Sequence, residues 1–410
     1  MSKKYVFLTT AIVEVGGGQI YCKYKKSYCE ELGFSTYIFS GYSGKLYISD
    51  FKKYMPCIMQ ELRFNPICFN SKKVDYILDT IIKLIDYDIN DSIVIESHGL
   101  ELAIWGELLA KRISAKHIVY LLGEHFENIS EWVLDFLRFK HKRKELACIK
   151  PDVTKKLFEK YDISDNECYS LRAAASGYVD VNKRIDTKYF KLCNNKKVIG
   201  IIGRGKKPYV IESLKKSCDF ASRKMDSFVV LIIGDVDKRL KRKMTKIIKR
   251  SSNVSIILAG SQLPIPKEML DLMDVAIAGA GCVRSAFNAG VPTISVDVYD
   301  NEAIGVFGYD TQLTISRENN SKRIVDYLEE ILYGDFLLKN NAITVENIDI
   351  ISEYQKHFDF IENSCKDIEY FKFSDFKKTK REYILGILYK IGGIRLILTI
   401  KSIKLIIHGK

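Results

Sequence analysis

Short apolar runs alternate with longer mixed segments along most of this 410-residue chain. Tyr5–Thr10 is such a run. It is followed by a glycine loop, GGGQ (16–19), a helical stretch near Ile20–Leu32 and a β-rich run at Thr36–Phe39. Ile93–Ser97 and His117–Leu122 repeat the pattern, with helix-like Glu101–Arg112 between them. Apolar runs separated by helical periodicity point to parallel strands joined by βαβ crossovers. After CNNKK (193–197) the alternation starts afresh. VIGIIG (198–203), FVVLIIG (228–234), VSIILAG (254–260), Asp274–Ala278 and Thr293–Asp297 read as strands. Val210–Lys224, the basic Lys238–Arg250, Lys267–Met273 and Val283–Ala289 read as the intervening helices, and 318–370 reads as mixed and helical. The predicted fold class is α/β, with two Rossmann-like doubly wound domains facing each other across a cleft and a C-terminal helical tail. The expected domains are 1–190 and 195–345, each Rossmann-like. A helical crossover back to the first domain is expected at 346–376, and a basic amphipathic tail at 377–410.

Composition narrows the class. Apolar residues make up 47% and charged residues 28%, which is globular and not disordered. Ten cysteines include no C-x-x-C pair, so neither a zinc ribbon nor a thioredoxin-like site is supported, and unpaired, mostly buried thiols are expected. The N-terminal apolar run is broken by Thr9, Thr10 and Glu14 and reads as a first strand, not a signal peptide. The net charge of +13 is uneven: residues 377–410 carry nine Lys/Arg against Glu382, giving +8 in 34 residues and +5 in the other 376. Within the tail, 383–408 interleaves cations with aliphatic residues, and no stretch is expected to reach the roughly 18–20 apolar residues needed for a membrane-spanning helix. At about 100° per residue, Lys390, Lys401 and Lys404 share a narrow arc that excludes Arg395. The segment therefore predicts an interfacial helix on an anionic membrane surface, the alternative being a helix docked on the protein. Nucleic acid is not an expected partner, because the cations are not interleaved with aromatic groups.

Candidate chemistry clusters where strands end. Asp271–Asp297, DLMDVAIAGAGCVRSAFNAGVPTISVD, reads as strand, glycine turn, helix and strand. Gly279 and Gly281 would let backbone amides and a helix N-terminus approach phosphate or ribose, with Arg284 and Ser285 as side-chain candidates. Arg204, a bidentate fork, and Lys206 or Lys207, point charges, could meet a diphosphate. Gly16, Gly17 and Gly18 could bring the first loop against donor phosphates or acceptor. His98 follows one strand of the first half and His125 the next. An imidazole at that edge could act as general base, and Glu124 or Glu127 could act instead of His125. There is no H-x-x-x-H pattern and no cluster with metal-ligand spacing, so neither a metal nor a cofactor is expected.

In order and spacing, IIGRGKK (201–207), VVLIIGD (229–235), NVSIILAG (253–260), KEMLDLMDVAIAGAG (267–281) and NAGVPTISVD (288–297) resemble the GT-B glycosyltransferases, especially family four (glycosyl transferases group 1). GGGQ (16–19) resembles that family's first glycine loop, and the resemblance covers about residues 5–310. It implies a metal-independent, hexosyltransferase-like enzyme with a donor site at Gly17, Gly18, Arg204, Lys206, Lys207, Gly279, Gly281, Arg284, Ser285 and Glu302. His125 and Glu124 are then the catalytic candidates and His98 a further one. The sequence departs from the family at two positions that usually carry glutamates, here Ser285 and Ile277, and its short AGAGCVRS loop is more similar to the lipid-linked N-acetylglucosamine transferase type. The resulting expectation is transfer of a sugar from a nucleotide-sugar to a membrane-linked or growing polysaccharide acceptor, in a bacterial-type protein at the inner face of the cell membrane. The alternatives are a catalytically degenerate sugar-nucleotide-binding protein and a nucleotide-sugar epimerase.

Overall fold

The apolar runs become strands buried on both faces. In the computed structural model they build two units, residues 1–174 with 348–410 and residues 175–347. The structure describes every residue except 1, 14, 15, 43, 45, 47, 124, 125, 127, 128, 162, 165, 166, 174–178, 250, 320, 346–348, 366, 368, 374–377, 409 and 410; for 402–408 it describes the backbone alone.

The first unit runs β1 (Lys3–Leu8), α1 (Gly17–Glu31), β2 (Phe34–Phe39), α2 (Ser71–Leu84), β3 (Ser92–Ser97), α3 (Leu100–Ile113), β4 (Lys116–Leu121), α4 (Glu131–Lys142), β5 (Leu146–Cys148) and α5 (Pro151–Leu157). Its sheet is parallel throughout, in the order β2-β1-β3-β4-β5. The second unit runs β6 (Val179–Asp180), α6 (Thr187–Cys193), β7 (Lys197–Ile202), α7 (Pro208–Ala221), β8 (Phe228–Ile233), α8 (Lys238–Ile248), β9 (Val254–Gly260) and β10 (Ile265–Pro266). It continues with α9 (Lys267–Leu270), β11 (Val275–Ala278), α10 (Gly281–Asn288), β12 (Thr293–Val296), β13 (Ala303–Val306), α11 (Ile324–Leu332) and α12 (Phe336–Lys339). Its main sheet has the order β13-β12-β11-β7-β8-β9, with only β13 antiparallel. The chain then returns to the first unit with α13 (Ile350–Glu362) and α14 (Lys380–His408).

Period-two alternation divides each strand between two cores. In the second unit Ile199, Ile201, Val230 and Ile232 face α7 and α11 through Leu214 and Leu328. Val198, Ile202, Val229 and Leu231 face Met269 and Leu270 on the other side. Helix α7 offers Val210, Leu214 and Cys218, an i, i+4, i+8 stripe. In the first unit Val6, Leu8, Ile93 and Ile95 pack on Ile77, Ile81 and Trp105. Tyr354 and Phe358 of α13 stack on Tyr21 and Tyr28 of α1, which explains why this late segment belongs to the first unit. All ten cysteines are free, and Cys57, Cys282 and Cys365 are the partly exposed ones.

The tail is not a free arm. Leu385, Leu388, Tyr389, Ile394 and Leu398 pack against the first unit's core, and Ile397 is only 2% exposed. The helix kinks at Gly392 and Gly393, and Gly393 holds φ +63°, a conformation that favours glycine. Contrary to the expectation from the sequence, Lys380–Lys401 is by length and composition long and apolar enough to cross a membrane, because its few cations are diluted to a mean hydropathy of 1.6 in its most apolar window. Lys401, placed by periodicity on the polar arc, instead lies over the Phe64 ring at 4.3 Å, and the side chain of Lys404 is outside the described residues.

Candidate functional site

The second unit reverses its strand order between β7 and β11, and ligands of open α/β sheets bind in the crevice that such a reversal leaves at the strands' carboxyl ends. Ile202 and Ala278 are register partners at the ends of β7 and β11, so loops 203–205 and 279–281 leave the sheet side by side. Both need glycine for close approach. A Cβ on Gly203 would fall 2.1 Å from Tyr209 Oη, and one on Gly279 3.3 Å from the Tyr209 ring. Tyr209 Oη donates to Ile202 O at 3.0 Å, which fixes the ring between the two loops. Helices α7 and α10 both begin here. Neither has a side-chain cap or an acidic residue in its first turn, so neither helix neutralises its own positive dipole end.

Arg204, Lys206 and Lys207 stand exposed around this point, and among the described residues none of them forms an ion pair. Burial pushes the neighbouring Cys282 thiol up to about 11, and the charge of Arg204 opposes that rise. Exposed cations, two helix N-termini and glycine-lined backbone at one sheet edge are an arrangement that can hold an anion.

Other sequence-predicted residues are placed differently. Ser285 is 8% exposed and faces inward, its hydroxyl 3.5 Å from Gly281 O in a long contact with its own helix. Arg284 is turned to the Phe307 ring, 5.3 Å away, and Phe307 N donates to Thr293 O at the opposite end of β12. Glu302 follows β12 at the carboxyl edge, but Lys216 of α7 holds it at 2.7 Å and also donates to Asn301 O at 3.2 Å. The structure thus brings the Arg204 loop beside Gly279 and Gly281, sets Lys206 and Lys207 at the start of α7, and leaves Arg284, Ser285 and Glu302 with partners elsewhere.

The first unit reverses between β1 and β3, where Leu8 pairs with Ser97 and the next residues are Thr9 and His98. His98 is 4% exposed, and both its ring nitrogens are engaged, Nδ1 with Thr9 Oγ1 at 2.8 Å and Nε2 with Glu96 Oε1 at 2.7 Å. It belongs to a buried network and presents no free nitrogen to a ligand. Glu96 also accepts from Tyr5 Oη at 2.5 Å and Tyr21 Oη at 2.6 Å, with Lys25 Nζ 3.6 Å away. Burial alone would raise the Glu96 carboxyl, but the Lys25 charge and the His98 hydrogen bond hold it well below the usual carboxylate range. Burial, with Lys25 nearby, pushes His357 down to about 3, and its Nε2–H donates to Arg172 O at 3.0 Å. The glycine loop reaches the same edge: α1 starts uncapped at Gly17, and a Cβ on Gly18 would lie 2.7 Å from Ala11 Cβ. His125, Glu124 and Glu127 follow β4 and lie outside the described residues.

At the opposite edge of this sheet a cavity of about 250 Å³ is lined by Ser92, Lys116, His117, Lys140, Arg143 and Tyr370, among others. Beneath it Ser97, His117 and Glu107 form a serine–histidine–carboxylate chain, with contacts of 2.9 and 2.8 Å. This is not a nucleophile site. Ser97 is fully buried, and a Cβ on Gly106 would lie 2.3 Å from its Oγ, which leaves no room for an acyl group. Lys140 is matched by Glu107 at 2.9 Å and Glu145 at 2.6 Å, so its charge is already satisfied.

Sequence reading missed Tyr209, whose position after Pro208 carries no motif, and the Glu96–Lys25 pair. For Glu96 a signal existed, a carboxylate inside the apolar strand SIVIES.

No protein-family profile matches the chain, and no curated protein matches it in sequence. Solved structures do match. A glycosyltransferase from Rickettsia africae superposes with a TM-score of 0.57 at 16% identity, over 88% of this chain and 94% of that one. Anabaena Alr3699/HepE, in complex with UDP and glucose, gives 0.56 at 12% identity over 88% and 100%. S. aureus MnaA, solved with UDP, gives 0.50 at 12% over 90% and 100%. The chain has the GT-B fold. At these identities the likeness is one of fold and goes no finer. Within this GT-B chain, the cation-lined switch point of the second unit is the strongest candidate for a ligand site.

Proposed function

We propose that this protein transfers a sugar from a nucleoside-diphosphate sugar, without a metal, to a membrane-linked or growing glycan acceptor during cell-surface polysaccharide synthesis, in the manner of family-four GT-B enzymes. One observation carries the reading: Arg204, Lys206 and Lys207, exposed and without an ion-pair partner among the described residues, adjoin the switch point where α7 and α10 start uncapped. A departing nucleoside diphosphate concentrates negative charge, and preorganised cations and N–H dipoles stabilise it where it develops. We assign the nucleotide to Arg204, Lys206, Lys207, Gly279 and Gly281, the glycine loop at Gly17 and Gly18 to the reacting groups, and acceptor deprotonation to His125 or Glu124.

Calorimetric titration with UDP tests the donor half. Arg204→Ala removes charge-assisted hydrogen bonds, so affinity should fall about 10- to 100-fold. Unchanged affinity would sink the assignment. A second reading, a nucleotide-sugar-binding protein without turnover, is favoured by the inward-facing Ser285 and by Glu302 being paired with Lys216. UDP binding without any consumption of UDP-sugar, with or without lipid acceptor, would select it.

A further inference from the structure

Helix α14 is apolar on nearly all sides, yet the protein covers only one of them. Leu388, Ile397 and their neighbours face the core, and Tyr389 stacks edge-on against Phe69 at 4.7 Å. On the outside stand Tyr383, Ile384, Ile387 and Ile391, exposed by 62, 55, 40 and 74%. Positions 383, 387 and 391 are four residues apart and so form one stripe along the helix. A helix apolar all round is normally enclosed, but only 6% of the most apolar window here is buried. An exposed apolar stripe of this kind marks an interaction surface.

The rim decides the partner. Lys380, Arg381 and Lys390 are exposed on the same half of the helix as the stripe, and Arg395 is exposed just past the kink. The helix's carboxylate, Glu382, does not neutralise them: it is 9% exposed and accepts from Asn65 Nδ2 at 2.9 Å and Thr379 N at 2.8 Å. A second copy of the chain would bring two such cationic rims together. An anionic surface with an apolar interior complements both features.

We propose that α14 lies in the surface of an anionic lipid bilayer, with Tyr383, Ile384, Ile387 and Ile391 entering the acyl boundary and Lys380, Arg381, Lys390 and Arg395 at the headgroups. It lies on the bilayer and does not cross it. A span would carry Lys390 and Arg395 into the hydrocarbon and strand the non-helical Gly392–Gly393 backbone there, besides pulling Ile397 from the core. The inference does not rest on the transferase reading, although it would set the protein beside a lipid-linked acceptor.

The test is co-sedimentation of the full chain with phosphatidylcholine vesicles, with and without phosphatidylglycerol. Wild type should bind only the anionic vesicles, and more weakly as salt rises. Lys390→Gln with Arg395→Gln should weaken binding about 25-fold, at about fivefold per cation. Ile387→Asp with Ile391→Asp should weaken it at least tenfold. Should either pair be poorly folded, Ile391→Trp gives an independent readout: its emission should shift to the blue on anionic vesicles and be quenched by brominated acyl chains. Equal binding to neutral vesicles, retention after alkaline carbonate washing, dimerisation through the stripe without vesicle binding, or no spectral change in Ile391→Trp would each overturn the proposal. UDP affinity reads the Arg204 site separately, so failure of one reading is distinguishable from failure of the other.

Discussion

At the scale of single residues, the buried ionic groups of the first unit tie its stability to pH. Burial, offset by Lys140 and the His117 hydrogen bond, leaves the Glu107 carboxyl lowered to about 2, and Glu96 is likewise held low. Burial lowers His117, and His357 is pushed down to about 3. As pH falls below about 6.5, an unfolded histidine takes up a proton that folded His357 refuses, so unfolding gains ground. The carboxylates add the same sign lower down: their contribution is present above the unfolded value near 4.5 and is lost as pH falls toward 2. Both tryptophans, Trp105 and Trp132, lie in the first unit and report on it alone. The urea midpoint followed by their fluorescence should drop between pH 7 and pH 5.5, with His357 contributing about 1 kcal/mol. His357→Gln keeps an N–H for Arg172 O and should flatten that part of the profile. An unaltered slope would show that His357 titrates normally.

At the scale of elements, what the sequence disclosed followed from burial. Runs such as FVVLII at Phe228–Ile233 are buried on both faces, so continuous apolarity marked them almost to the residue. Short β5 and two-residue β6 and β10 carry no period of their own and were not legible. The candidate site was legible as far as glycines and cations fall at strand ends, as at Arg204 and Gly279, and illegible where side-chain direction decides. Arg284 and Ser285 adjoin the candidate loop in sequence, but helical geometry turns them away. The β11–α10 junction shows a further cost. Ala280 adopts φ 53°, ψ −136°, a region nearly reserved for glycine, and its N–H is held by Thr314 O at 2.6 Å. Ala280→Gly should relieve about 1–2 kcal/mol of strain, against about 0.5–1 kcal/mol of added chain entropy. A rise in urea midpoint by circular dichroism, with UDP affinity unchanged or lower, is therefore expected. A fall in the midpoint would mean that the junction is not strained.

At the scale of the whole chain, the tail shows where periodic arithmetic stops working. An unbroken 100° rule set Lys390, Lys401 and Lys404 on one face, but the Gly392–Gly393 kink resets the phase, and Lys401 lands on Phe64. The same kink lets the later half of α14 reach the core, where Ile397 is fully enclosed and Leu385, Leu388, Tyr389, Ile394 and Leu398 are partly so. Each fully buried side chain of this size contributes about 1.5–3 kcal/mol. Ending the chain after Lys378 should therefore cost the first unit about 4 kcal/mol or more. Its tryptophan-detected midpoint should fall, and Trp105, whose neighbour Phe69 would lose Tyr389, should emit further to the red. Changes on the outer stripe should leave both readouts alone. A truncated chain as stable as the full one would mean that α14 is an appendage after all. If the loss is found, failure of the truncated protein to bind vesicles cannot be credited to a missing membrane contact, and only substitutions confined to the stripe separate anchoring from folding.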